Sequence, residues 1–419
     1  MQLTPQDDRL LEDAGAVLDR QNLTRIGVAV SGGSDSCALL HLAAIWAKKA
    51  GVILEAVTVD HGLRTAAVAE AKAVAEICAG LGVEHTTLKW TGWDGRGNLQ
   101  DQARQARYGL MADWAKDRGI GTIALGHTAD DQAETFLLRL ARGSGVDGLS
   151  GMAQSRHENG IDWLRPVLFL ERQKLRDFLC RHAIKWFDDP SNEDEKYDRV
   201  KARKILKLLE PLGIDKSRLA ATAQALQPAR RALEWQTGQA AQSVATVRQA
   251  TVVFDAAKFI ALQPEIGTRL LQHALRWVSS APYPPRRSSL ENLQTAIFAR
   301  KSSTLHGCRI IAKKNEIRIG REYQAVKDMV CPTDQIWDQR WKFSGPATQG
   351  YEIRALGEAG LQQCPDWRSM NMKRACLLAT PAVWQKQTLV AAPIAGFGNG
   401  WRSSALFGPD HFISSIISH

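Results

Sequence analysis

Cysteine is sparse and unpaired in this chain of 419 residues. The seven that occur, Cys37, Cys78, Cys180, Cys308, Cys331, Cys364 and Cys376, form an odd, scattered set without one CxxC pair. That pattern excludes a disulfide framework and a compact zinc or iron–sulfur site. Long apolar runs are also missing: none approaches the roughly 18 residues a membrane-spanning helix needs. The opening MQLTPQDDRL has no basic segment leading into an apolar one, so no export signal is read there. A cytosolic protein with no membrane contact is the expectation. Internal repeats and low-complexity tracts are absent too. So are the two commonest glycine signatures, the P-loop GxxxxGK and the dinucleotide GxGxxG, which removes the phosphate-binding lysine of the first and the opening turn of the second.

What the chain does have is an excess of one charge. Lys and Arg number 54 against 44 Asp and Glu, a net charge of +10. Such a balance favours a polyanionic partner, nucleic acid before membrane.

It also has SGGSDS, Ser31 to Ser36, set between two apolar stretches of different period. Arg25 to Val30 reads as a buried parallel strand, while Ala38, Leu39, Ala43, Ile45 and Trp46 recur at helical spacing. The hexamer is therefore a strand-to-helix turn. Gly32 and Gly33 allow positive φ and close approach of a ligand, and the helix offers free N–H groups and the positive end of its dipole. This is an anion cradle suited to phosphate, with Ser31, Ser34 and Ser36 adding hydroxyls. Asp35 would be repelled by bare phosphates, so its presence implies a bridging Mg²⁺, unless it serves only to cap the helix.

Strands at Arg25–Val30, Val52–Val59, Glu84–Trp90 and Thr122–Leu125 alternate with amphipathic stretches such as Ala66–Leu81 and Leu99–Arg118. The pattern predicts an α/β fold with a doubly wound, Rossmann-like parallel sheet. In such a sheet the turns SGGSDS, DHGLR and GHTADD meet in one crevice at the carboxyl ends of the strands. The charged stretch from Asp188 to Gly213 closes this domain, giving boundaries at 1–214, 215–328 and 329–419. The second part reads as mainly helical, with a strand at Ala250–Phe254 and a hairpin turning at Lys313–Glu316. The third reads as a small mixed α/β module.

Asp131 and Glu134 lie three apart in the first turn of a helix over Asp130–Ala141, hence on one face. Two such carboxylates can hold a divalent metal or an ammonium group, or simply favour the helix N-terminus. His127 can point into the same crevice or be structural. Asp60 and His61 close the second strand, where an α/β nucleotide fold meets adenosine. Arg104 and Arg107 sit three apart on a helix, flanking the crevice or solvated.

SGGSDS resembles the PP-loop of the N-type ATP pyrophosphatases. Further matches follow in order: VDHGLR (Val59–Arg64), QARQARYGLM (Gln102–Met111), GHTADDQAETFLLRLARGSGVDGLSGM (Gly126–Met152), RPVL (Arg165–Leu168) and DDPSNEDEKYDR (Asp188–Arg199). With these the first half is similar to the tRNA(Ile)-lysidine synthetases. The resemblance implies ATP with Mg²⁺, L-lysine, and a tRNA-Ile with a CAU anticodon as partners, in a monomer or homodimer. It implies that Ser31, Gly32, Gly33, Ser34, Asp35, Ser36, Asp60 and His61 bind ATP and that Asp35 holds the metal. Asp35, Arg107, Asp131 and Glu134 would be catalytic, Arg107 as a phosphate or transition-state contact, and the later domains would bind tRNA. Two positions depart from the family: Thr128 stands where a second histidine is common, and Val200 where asparagine is.

Related enzymes fit less well. A tRNA cytidine thiolase would show paired cysteines, and an amidotransferase a glutaminase nucleophile. A non-catalytic RNA-binding protein would not need an intact SGGSDS beside Asp131 and Glu134. Basic groups at Arg172, Lys174, Arg176, Arg181 and Lys185, at Arg199, Lys201, Arg203, Lys204 and Lys207, and at Arg286 and Arg287 suit an RNA backbone.

Overall fold

Alternating apolar residues on the first strand sort the catalytic half of the chain into two layers. The computed structural model describes residues 3–62, 66–91, 99–188, 196, 198–346, 349–370 and 372–417. These form two compact units that divide after Arg230. The first unit thus continues past the 214/215 break read from charge, because the helix that begins at Lys216 starts within it.

In the first unit, α1 (Pro5–Leu18) leads to β1 (Arg25–Ala29), α2 (Ser34–Ala50), β2 (Ile53–Asp60), α3 (Ala66–Leu81), β3 (Glu84–Lys89), α4 (Leu99–Asp117), β4 (Thr122–Leu125) and α5 (Ala129–Ala141). A short α6 (Val146–Leu149), the strands β5 (Ser155–Glu158) and β6 (Ile161–Leu164), α7 (Arg172–Arg181) and α8 (Asp198–Leu209) follow, and α9 (Lys216–Val244) begins in this unit and runs past Arg230, where the units divide. The sheet order is β3-β2-β1-β4-β6-β5, parallel throughout except for β5, which pairs antiparallel with β6.

Ile26, Val28 and Val30 face one side, packed with Leu39, Leu40, Val74, Cys78 and Phe178 from α2, α3 and α7. Ala29, Val57, Ile123 and Trp163 face the other, under Tyr108, Met111 and Trp114 of α4. Both faces are covered, so the sheet is doubly wound as the pattern predicts, and its strands are apolar on both sides. The hairpin β5–β6 carries too many polar residues to read as a strand pair beforehand.

The second unit holds a five-stranded antiparallel sheet, β7 (Ala245–Arg248), β8 (Thr251–Asp255), β9 (Ser303–Leu305), β10 (Cys308–Ala312) and β11 (Glu316–Arg321), in the order β7-β8-β11-β10-β9. The expected hairpin at Lys313–Glu316 joins β10 to β11. Helices at Pro264–Ser279, Arg287–Phe298 and Pro409–Ile417 share its core through Leu271, Leu293 and Phe412. A four-stranded and a two-stranded sheet enclose a further core around Trp337, Trp384 and Leu377. All seven cysteines are free thiols. Among the described residues no helix is long and apolar enough to cross a membrane.

Candidate active site

The turn after β1 is bent by Gly32, whose φ of +85° lies in the region other residues avoid. Gly33 is the N-cap of α2 in an extended conformation. The first intrahelical bond runs from the Cys37 N–H to the Gly33 carbonyl (3.0 Å), so the N–H groups of Ser34, Asp35 and Ser36 precede it without intrahelical acceptors. The hydroxyls brace this turn rather than simply lining it. Ser36 Oγ donates to the Gly33 carbonyl at 3.0 Å and accepts from the Ser31 N–H at 3.1 Å. Ser34 Oγ donates to Asp35 Oδ1 at 3.2 Å.

β4 lies beside β1, and its following turn closes on the same place. A Cβ added at Gly126 would stand 3.0 Å from both Cα and N of Ser36. The two turns are therefore in backbone contact. Thr128, fully buried, is the N-cap of α5 and donates its N–H (2.9 Å) and its hydroxyl (3.0 Å) to Asp131 Oδ2. Where the family often has histidine, this chain thus closes a capping box.

Asp35, Asp131 and Glu134 converge on one guanidinium. Arg172 Nε donates to Asp35 Oδ2 at 2.8 Å, and its other nitrogens lie 3.4 Å from Asp131 Oδ1 and 3.8 Å from Glu134 Oε1. The Arg172 backbone N–H donates to Asp130 Oδ2 at 2.9 Å, and Lys216 Nζ reaches the other Asp130 oxygen at 2.8 Å. From α8, Arg203 Nε donates to Glu134 Oε1 at 2.5 Å and Arg199 lies 3.7 Å from Asp131 Oδ1. Glu134 is almost wholly buried and its Oε2 has no partner.

Three carboxylates thus meet three guanidiniums in a low-dielectric setting. Burial pushes the Asp35 carboxyl up, with the Arg172 charge pulling against it. Burial also raises the Glu134 carboxyl despite Arg203. At Asp131 burial acts in the same sense but Arg172, His127 and Arg199 outweigh it, leaving this carboxyl low. Burial disfavours the Arg172 charge, and Asp131 and Asp35 more than offset that. His127 is buried with Nδ1 unpartnered, and burial holds its imidazole neutral at pH 7.

Asp60 and His61 end β2, next to β1. Asp60 Oδ1 accepts the Gly62 N–H at 2.9 Å, and the His61 ring meets Trp90 edge-on at 5.9 Å. Burial and then the charge of Arg107 hold His61 below its ordinary range, and the same Arg107 acts on His127. Leu63 and Arg64 of VDHGLR, and 189–195 and 197 of DDPSNEDEKYDR, lie outside the described residues.

The PP-loop domain family matches residues 6–209. A tRNA(Ile)-lysidine synthase of Ruegeria pomeroyi is 47% identical over 419 residues, covering 100% of each chain. The chain belongs to the tRNA(Ile)-lysidine synthase family. A synthase of Wolbachia pipientis is 36% identical over 382 residues, 88% of each chain, and one of Hyphomonas neptunium 37% identical over 324 residues, 75% of this chain and 86% of its own. Membership makes this chain an enzyme with a PP-loop domain, which implies the use of ATP.

Five of the basic residues expected along an RNA backbone are engaged within the protein instead. Arg172, Arg199 and Arg203 turn onto the carboxylates just described. Arg176 bonds Ser34 Oγ and Asp188, and Arg181 bonds the buried Asp7. The physical reason is that α7 packs on α2 and α8 on α5, where acids await them. Arg172, read as surface charge, is the main residue the sequence reading missed. One signal was available: it opens a helix, where a cation opposes the helix dipole and needs anions to hold it. Val200 is buried on α8, an apolar packing position in this chain.

The residues present suit a magnesium ion. Asp35 stands on the PP-loop with Oδ1 engaged only by a serine hydroxyl, and Mg²⁺ characteristically takes one or two carboxylates plus substrate phosphates. Among the described residues no group of three or more His, Cys, Asp or Glu is placed to hold a metal ion by itself.

Proposed function

We propose that the enzyme joins L-lysine to C2 of the wobble cytidine of a tRNA-Ile with a CAU anticodon, in two steps. The cytidine C2 oxygen attacks the α-phosphate of ATP, displacing pyrophosphate and leaving the base adenylated. The lysine ε-amine then attacks C2, the C2–oxygen bond breaks, AMP departs with that oxygen, and the amine loses its proton. The product, lysidine, reads AUA in place of AUG.

The observation that carries this reading is the meeting of Asp35, on the PP-loop, with Asp131 and Glu134 around Arg172. ATP activation and amine capture then fall within reach of one side chain. The N–H groups of Ser34 to Ser36 stabilise the charge gathering on pyrophosphate. Asp35 would hold Mg²⁺, which supplies charge neutralisation at the phosphates when bound. Asp131 and Glu134 hold the lysine by its positive charge, and Arg107 contacts the phosphate in the transition state. Asp60 and His61 flank the adenosine. The domains 215–328 and 329–419 bind the tRNA, which must present its base unstacked.

The test supplies purified enzyme with Mg-ATP, radiolabelled lysine and a tRNA-Ile transcript bearing CAU, beside a methionine tRNA with the same anticodon. Lysine incorporation confined to the isoleucine tRNA, with equal pyrophosphate and AMP, is the expected result. Pyrophosphate release without lysine incorporation would sink the amine assignment.

A further inference from the structure

Away from the carboxylate cluster, four arginines gather about one phenol. Tyr108 on α4 is nearly buried, its ring edge-on to Trp163 of β6 at 4.6 Å. Arg104, one turn before it, places its guanidinium carbon 5.2 Å from the ring centre, and Arg156 of β5 does so at 5.3 Å. Arg165, just after β6, is 4% exposed; one of its terminal nitrogens donates to the Ala153 carbonyl at 2.7 Å, while its Nε is buried without a partner. Arg107, on the same helix, adds a further positive charge that acts on Tyr108.

Charge balance is what sets this group apart. Only Arg156 pairs with a carboxylate, that of Glu158, and among the described residues none pairs with Arg104, Arg107 or Arg165. Guanidiniums do not shed their protons, so the π face of Tyr108 relieves only part of their repulsion and an anion would relieve more. Burial acts to raise the Tyr108 hydroxyl, but the arginines outweigh it and hold it low, a sign of the local positive field. Arg104 is exposed and Arg156 has 31% of its side chain exposed, while Arg165 is buried beneath them, so the guanidiniums that an RNA backbone can reach are those of Arg104 and Arg156.

We propose that Arg104, Arg156 and Arg165, grouped around Tyr108, form a second phosphate site, separate from the PP-loop, that takes a backbone phosphodiester of the RNA substrate. The proposal rests on the reading that the substrate is a tRNA. Guanidiniums suit the ligand because they bind phosphate oxygens through paired N–H donors.

The experiment uses the full chain carrying Arg104→Gln with Arg156→Gln, and a matched Arg104→Lys with Arg156→Lys. Filter binding of the tRNA-Ile transcript is measured over a potassium chloride series, and Mg-ATP binding by equilibrium dialysis. The glutamine pair should weaken tRNA binding about 10-fold or more at 0.1 M salt, lower the salt slope by roughly 0.7 per lost contact, and leave ATP affinity unchanged. The lysine pair should restore most of the slope, which a purely packing role around Tyr108 would not do. An unchanged slope in the glutamine pair, an unrestored one in the lysine pair, or loss of ATP affinity with tRNA binding intact overturns the proposal. Wild-type enzyme that binds tRNA through these arginines but incorporates no lysine would refute the function proposed above and leave this site standing.

Discussion

Replacing Gly126 by alanine tests the backbone contact between the two turns. The new Cβ would stand 3.0 Å from Ser36 Cα and N and 3.1 Å from the Asp35 carbonyl carbon. Carbon atoms in contact settle at about 3.5–4.0 Å, so an overlap of about 0.5 Å must be relieved. All three partners are backbone, so no side chain can swing away and the first turn of α2 itself must move. Overpacking of this kind costs about 1–3 kcal/mol. Because Ser36 also braces Ser31, the shift would reach the whole PP-loop. If it falls on the loop, Mg-ATP affinity should drop about 5-fold to 100-fold, at about 1.4 kcal/mol per decade. Equilibrium dialysis gives that affinity and calorimetry the stability. Gly109→Ala is the control: nothing lies within 4 Å of its Cβ, it sits inside α4, and it should gain about 0.5–1 kcal/mol. A Gly126→Ala enzyme that binds Mg-ATP and melts like wild type would refute the claim that this contact sets the loop.

Four further outcomes are expected. Glu134→Ala should raise the lysine KM about 10-fold or more and leave that for ATP unchanged; in Arg203→Ala the Glu134 carboxyl, already raised by burial, loses its closest cation and takes up a proton at higher pH, so the acid limb of lysine incorporation should move upward. Asp35→Asn should raise the Mg²⁺ concentration for half-maximal pyrophosphate release about 10-fold, a loss of about one charge-assisted contact, read from a magnesium titration. Asp7→Asn should cost about 2 kcal/mol in urea unfolding at pH 7, since it removes the charge-assisted hydrogen bonds from Arg181 to a buried carboxylate while the exposed Arg181 guanidinium returns to water. At Asp7 burial acts upward, yet Arg181, Thr4 and His182 together hold the carboxyl well below its ordinary value. That stabilisation is present above the unfolded carboxyl range near pH 4 and is lost as pH falls, so variant and wild type should converge in acid.

Much of the fold could be read from residue pattern alone. The strands β1 to β4 begin or end within a residue of their expected limits, because each is an apolar run bounded by turn residues. β5 was not readable: Ser155 to Glu158 is polar, since it is an edge strand with one neighbour. At the site, Asp131 and Glu134 were legible from helical spacing, a local property. Arg172 was not, because its partners Asp35 and Asp131 are distant in sequence and meet only once α7 packs on α2. The same blindness hid the half-buried Arg176 and Arg203, whereas Arg181 and Arg199 are exposed as expected and simply have acidic partners. Composition counts charges without saying which are already matched, and several in this chain are.

Asp131 divides its two oxygens between different duties. One holds the Thr128 N–H and hydroxyl at the start of α5, and the other faces Arg172 and Arg199. A substitution here changes a helix end and an ionic cluster in the same stroke. Mutational drift therefore cannot alter the ionic cluster at this position without also altering how firmly the first turn of α5 is wound. The spacing of that helix cap is in effect a ruler for the site, and a change at Thr128 would be felt at Glu134, one turn further along.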